Sequence, residues 1–159
     1  MRHYLMVALV ALAGLVLTPL AGPAHAQNCV RWSEDLPTNG ILVEYVTDIT
    51  AEDLTNSRGV QLTDFRAILQ QDRFNHHERG VIDGSYLDDG SFRPFQGETY
   101  FTSRARRQHI SEGDFSLVCA DQLEDLTDQI VRGRLQGFLF VRAYGGKGEG
   151  LRFFIGLVG

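Results

Sequence analysis

The residues best suited to chemistry in this chain are His76, His77 and Glu78, with His109 and Glu112 as a second group. Imidazole and carboxylate are common ligands of zinc, and both serve as general acid or base. His76-His77-Glu78 closes a stretch with helical periodicity. His109-x-x-Glu112 has the i,i+3 interval that places two side chains on one helical face. Arg79-Gly80 follows His77-Glu78, so the metalloprotease pattern His-Glu-x-x-His is not met. The five residues form a candidate metal-dependent or acid/base hydrolase site only where folding brings the two groups together. The competing expectation is a pair of solvated helix ends, where the dipole favours histidine near a C-terminus.

Arg104, Arg106 and Arg107, with Arg79 and Arg93 nearby, are the only basic concentration. Guanidinium forks suit carboxylate and phosphate, which makes these three candidate ligand-binding residues for an envelope or extracellular protein or a small anionic ligand. Pairing with the chain's own acids is the alternative. Asp83, Asp88 and Asp89 supply oxygens that calcium would accept. However, Leu87 and Pro94 occupy the fifth and twelfth positions of the loop, where an EF-hand needs ligands. The glycine-rich segment 145–150 leads into an apolar strand rather than a helix, so it reads as a hairpin tip and not a phosphate loop. Gly-x-Ser-x-Gly, Ser-x-x-Lys and Cys-x-x-Cys do not occur. These residues imply no cofactor and no metal, and the balance leans away from an enzyme toward a binding or interaction module.

The elements that must position these residues are legible in outline. Residues 41–46 are β-branched and aromatic and predict a strand. Thr63 is the expected cap of a helix that carries Phe65, Ile68 and Leu69 inward and stops at Gly80. Residues 81–97 read as a long loop carrying Tyr86, Phe92 and Phe95. A second helix starts at Thr102 or Ser103 and ends by Gly113, and residues 115–119 predict another strand. Asp121 and Glu124 have capping-box spacing ahead of a third helix bearing Leu126 and Ile130. Residues 135–144 and 151–158 are apolar at nearly every position and form the arms of a long hairpin. The expected fold is α+β: one small domain, an antiparallel sheet with a long C-terminal hairpin, two or three helices packed on it, and one disulfide.

The first residues bear on where that domain works. Arg2 precedes an uncharged apolar run from Leu5 to Leu17; prolines at 19 and 23 and the triplet Ala24-His25-Ala26 follow. This is the layout of a cleavable secretory signal, residues 1–26, leaving 27–159 as the mature domain. The run is shorter than the roughly 20 residues a membrane anchor needs. Cys29 follows Gln27-Asn28, which does not fit a lipoprotein box. Cleavage removes one arginine and no acid, so 14 basic and 20 acidic side chains remain. That acidic balance argues against nucleic acid, and no membrane contact is expected once the signal is gone. Periplasmic or secreted destinations are oxidising, so Cys29 and Cys119 are expected to pair. Trp32 is expected to cover the core near Cys29, the alternative being a half-exposed ring that anchors a ligand.

Overall fold

The computed structural model describes residues 29–146 and 149–158. The expected signal sequence, its expected cleavage site and part of the glycine-rich hairpin tip lie outside them. Eight regular elements follow in order: β1 (Ile41–Thr47), α1 (Phe65–Arg79), β2 (Gly84–Tyr86), β3 (Phe92–Pro94), α2 (Arg104–Ser111), α3 (Ala120–Val131), β4 (Phe138–Gly146) and β5 (Glu149–Val158). The main sheet is antiparallel in the order β1-β4-β5, and β2-β3 is a separate small hairpin. This is the expected α+β arrangement with its C-terminal hairpin.

Register gives the sheet two unlike faces. Val141 pairs with Tyr45 and Ile155, and Ala143 with Val43 and Phe153. Side chains alternate along each strand, so these residues share one face with Leu139. That face is sealed by the helices and the segments joining them. Phe153 stacks on Phe115 at 4.9 Å between ring centroids, and Tyr45 meets Phe101 edge-on at 6.1 Å. Phe140, Phe154 and Gly156 belong to the opposite face, and so does Tyr144, whose hydroxyl donates to Pro37 O at 2.8 Å. A strap of residues 29–40 reaches from α3 to Tyr144 along this second side and buries Leu36.

The helix ends explain their own limits. Asp64, rather than the expected Thr63, caps α1: its carboxylate accepts from Arg66 N, and Gly80 ends the helix in left-handed backbone at φ 71°. Ser103 caps α2. Gly113 beyond it lies so close to Phe153 that a Cβ would sit 2.4 Å from the ring. The expected capping box on α3 does not form, because Cys119 occupies the cap and Asp121 is already within the first turn. Asp121 instead takes the Arg31 guanidinium at 2.8 Å.

Residues 115–119 are not a strand. They form a turn with one bridge, Val118 to Val30, and their apolar side chains fill the core rather than a sheet. Residues 81–97, expected as a loop, contain the β2-β3 hairpin, closed over a turn in which Asp89 accepts from Ser91 N and Oγ. Both differences reflect the limits of short windows, where apolar runs and turn residues are ambiguous.

Cys29 and Cys119 form a disulfide across 90 positions of sequence. It fixes the start of the strap beside the start of α3, next to the Val30 N to Leu117 O bond. Closing a loop of this size constrains the unfolded chain most. Replacing both cysteines by serine is expected to cost about 2–5 kcal/mol. Urea unfolding of the two proteins at one pH checks this, and equal midpoints would refute it.

Candidate functional site

The inward stripe of α1 begins as Ile68 and Leu69, then continues one turn later as Asp72 and Arg73. Two charged side chains of this helix therefore enter the interior. The Arg73 side chain is 1% exposed. Its guanidinium donates to Asp72 at 2.8 Å and to Asp83 at 2.7 Å, and Glu98 lies 3.9 Å away. Thr47 on β1 accepts from Arg73 at 3.0 Å and lies 2.7 Å from Asp72 and 3.0 Å from Asp83. The guanidinium also covers the Tyr45 ring at 4.1 Å.

His76 and His77 extend this cluster. His77 Nε2 bonds Glu98 Oε1, while the other Glu98 oxygen accepts from Phe101 N at 2.8 Å and from Tyr100 N. His76 Nδ1 is 3.2 Å from Asp83 but out of line for a hydrogen bond. Asn75 reaches the other way, donating to Asp53 at 2.7 Å.

The remaining expected site residues take other partners. Glu78 accepts from Arg107 at 3.1 Å, and Arg107 also donates to the carbonyls of Phe101 and Thr102. His109 Nδ1 is bonded to the Tyr100 hydroxyl at 2.9 Å, and Glu112 accepts from Gln108 at 2.9 Å. His109 and Glu112 border a hollow of about 80 Å³ with Gly150 and Leu151. The two histidine groups thus bind different partners, Glu98 and Tyr100. Among the described residues no three His, Cys, Asp or Glu converge to hold a metal ion.

The arginines also separate. Arg104 and Arg107 line a groove of about 730 Å³ between α1, α2 and residues 56–62, whereas Arg106 covers the Tyr100 ring at 5.1 Å. Of the acidic loop residues, Asp83 turns inward to Arg73 and Asp89 holds its own turn.

Burial sets the protonation of the cluster. It pushes the Asp72 carboxyl up to about 7, with Arg73 opposing and Asp83 and Asp53 adding. Burial likewise holds the Tyr45 phenol above its usual range. For Arg73 burial works against the charge, but Asp72 and the other surrounding acids outweigh it and the guanidinium stays charged. Burial lowers His76, and the Arg73 charge lowers it further.

A second concavity lies on the other side of the sheet. It is a trough of about 410 Å³ between the strap, α3 and the end of β5. The strap supplies Trp32 and Glu34. Helix α3 supplies Leu126, flanked by Gln122 and Asp125, and the sheet contributes Phe140, Phe154 and Leu157. Trp32 does not cover the core as expected: it is 67% exposed, and Leu36 takes the buried position on the strap. Leu157 borders the trough from the edge of the sheet: it pairs with Leu139, so its side chain alternates away from Phe154 and Gly156, and it is 49% exposed. Sequence reasoning missed the trough because its walls come from three distant segments. The inward turn of Asp72 and Arg73 did carry a signal, since both continue the i,i+4 stripe of Ile68 and Leu69.

Compared with protein-family models, curated proteins and solved structures, the chain finds no match. No helix of the described residues is long and apolar enough to cross a membrane.

Two consequences of the cluster are measurable. Arg73→Met leaves buried carboxylates without their cation and is expected to cost about 3–5 kcal/mol in urea unfolding. A loss within 1 kcal/mol would contradict it. Asp72 is raised in the folded state from 3.8 to about 7, so folding takes up a proton there. Its contribution to stability is complete below the ordinary carboxylate range and is lost as pH rises through about 7. The stability of the natural protein relative to Asp72→Asn should therefore fall between about pH 4 and pH 8. His76 acts in the opposite sense but is present in both proteins. A difference that is flat or rising with pH would exclude Asp72 as the group.

Proposed function

We propose that the mature chain is an exported, non-catalytic binding module of the cell envelope or its surroundings, with the trough beside Trp32 as its ligand site. The observation that carries this reading is the exposed tryptophan, 67% accessible, standing over an apolar floor in an open concavity. A large aromatic ring left in water on the wall of an apolar trough suits an anchor that is covered when a ligand arrives. His76, His77, Glu78, His109 and Glu112, which a hydrolase would use, have partners within the chain. His76 and His77 keep 18% and 12% of their side chains exposed, and both face carboxylates of the Arg73 cluster. Export is supported by the leader 1–26 and is compatible with the Cys29–Cys119 bond.

Two measurements test the reading. Mass spectrometry of the protein recovered from an oxidising compartment should give a chain beginning at Gln27 with both thiols oxidised; a retained leader or free thiols would count against export. For binding, the chain's single tryptophan is a built-in reporter. Titration with a neutral apolar dye such as N-phenyl-1-naphthylamine should quench Trp32 saturably at one site. Trp32→Ala, followed by dye emission, should weaken binding about tenfold or more, whereas His77→Ala should not. Absence of saturation in the natural protein would refute the trough as a site.

A further inference from the structure

We infer that the trough takes an extended, basic peptide segment of a partner protein, seating an apolar side chain against Trp32, Leu126 and Phe154 and cationic side chains against Glu34 and Asp125. The inference rests on the binding reading above and adds the chemistry of the occupant. Charge is the first argument. Among the described residues Arg31 is the one cation on the lining, and Asp121 pairs with it through bonds of 3.1 and 2.8 Å. Asp125, among the described residues, accepts only from the neutral amide of Gln129, at 2.8 Å. Glu34 and the adjacent Asp35 have no ion partner among the described residues. The rim is therefore net negative over an apolar floor, which complements lysine or arginine flanking an apolar residue.

The second argument is the edge of β5. This strand borders the main sheet, and Asp114 covers part of its free side by accepting from Phe153 N at 2.7 Å and donating to Leu151 O at 2.9 Å. Backbone groups alternate in direction along a strand, so the N–H and C=O of Leu157 face the same free side as those of Leu151 and Phe153. Among the described residues no backbone group bonds them, and Leu157 is exposed at the border of the trough. A peptide laid along this end finds a main-chain donor and acceptor as well as a pocket, which is the logic of strand addition. A small amine would leave the Leu157 groups unused. A second copy of the mature chain, with 14 basic and 20 acidic side chains, would bring net negative charge to an acidic rim.

Fluorescence anisotropy with short labelled peptides tests this: one alternating lysine and valine, and one alternating glutamate and valine. The lysine peptide should bind saturably and the glutamate peptide about tenfold more weakly or worse; added salt should narrow the gap. Glu34→Lys together with Asp125→Lys, both at exposed positions, should invert the preference without moving the melting temperature by more than a degree or two. Methylating the backbone amides of the lysine peptide should weaken it about tenfold, and Trp32→Ala should do the same. Equal binding of the two peptides, or no effect of amide methylation, would overturn the inference. Neutral dye binding with neither peptide bound would overturn it while leaving the trough a small-molecule site; loss of dye and peptides alike would remove the trough altogether. A concentration-dependent dimer in light scattering, broken by the same two lysine substitutions, would give the trough to a second copy instead.

Discussion

The guanidinium of Arg73 is enclosed by carboxylates that arrive from separate parts of the chain: Asp72 beside it on α1, Asp83 after that helix, and Glu98 ahead of α2. Thr47 adds the end of β1. A buried cation is costly to desolvate, and only close, well-directed acceptors offset it. Each acceptor is therefore also a constraint on the segment that carries it. His76 and His77 lie three and four residues after Arg73, on the same helical face. They meet the same two distant acids, His76 with Asp83 and His77 with Glu98. One stripe of α1 thus fixes two stretches that have little regular structure of their own. Glu98 passes the constraint onward through the amides of Tyr100 and Phe101, which places Phe101 on the core and sets the approach to α2.

The opposite face of the sheet is organised by tethering rather than by charge. Phe140 and Phe154 are buried on this face, beside the strap of residues 29–40 and Leu126 of α3. The strap is held at one end by the disulfide and the Arg31–Asp121 pair, and at the other by the Tyr144 bond to Pro37. Leu36 fills the gap between those ties, and Trp32 has no place beneath the strap. The trough follows from that economy of cover: a short tether crosses a wide apolar face and leaves one corner open between α3 and β5.

This division explains what could be read from the sequence. The hairpin of β4 and β5, helix α1 and the cysteine pairing rest on strong local signals, namely long apolar runs, a capped amphipathic stripe, and a single pair of cysteines. Residues 115–119 carried an equally apolar signal and still form a turn, because their role is to fill space under Phe153 rather than to extend a ladder. His76, His77 and Glu78 stood out as chemistry, but their partners Asp83, Glu98 and Arg107 depend on tertiary packing that no spacing discloses. Arg73 was the hardest to read. A charged residue in mid-helix suggests solvent, and only its place one turn after Leu69 on the inward stripe pointed the other way. Trp32 failed for the converse reason, since an aromatic near a disulfide suggests core, and the geometry of the strap decides otherwise.

A histidine–carboxylate pair that holds a fold and one that moves protons look the same in sequence; access and remaining hydrogen-bond capacity separate them. Glu98 has one oxygen on His77 and the other on two backbone amides, so both oxygens already have partners within the chain. Within the cluster, burial opposes the ionisation of Asp72. That titration belongs to the helix-covered face of the sheet, where Arg73 lies on Tyr45, whereas the trough opens on the face of Phe140 and Phe154. The two sites share no residue. Proton uptake at Asp72 and a ligand in the proposed trough would each add a linkage to the same unfolding equilibrium.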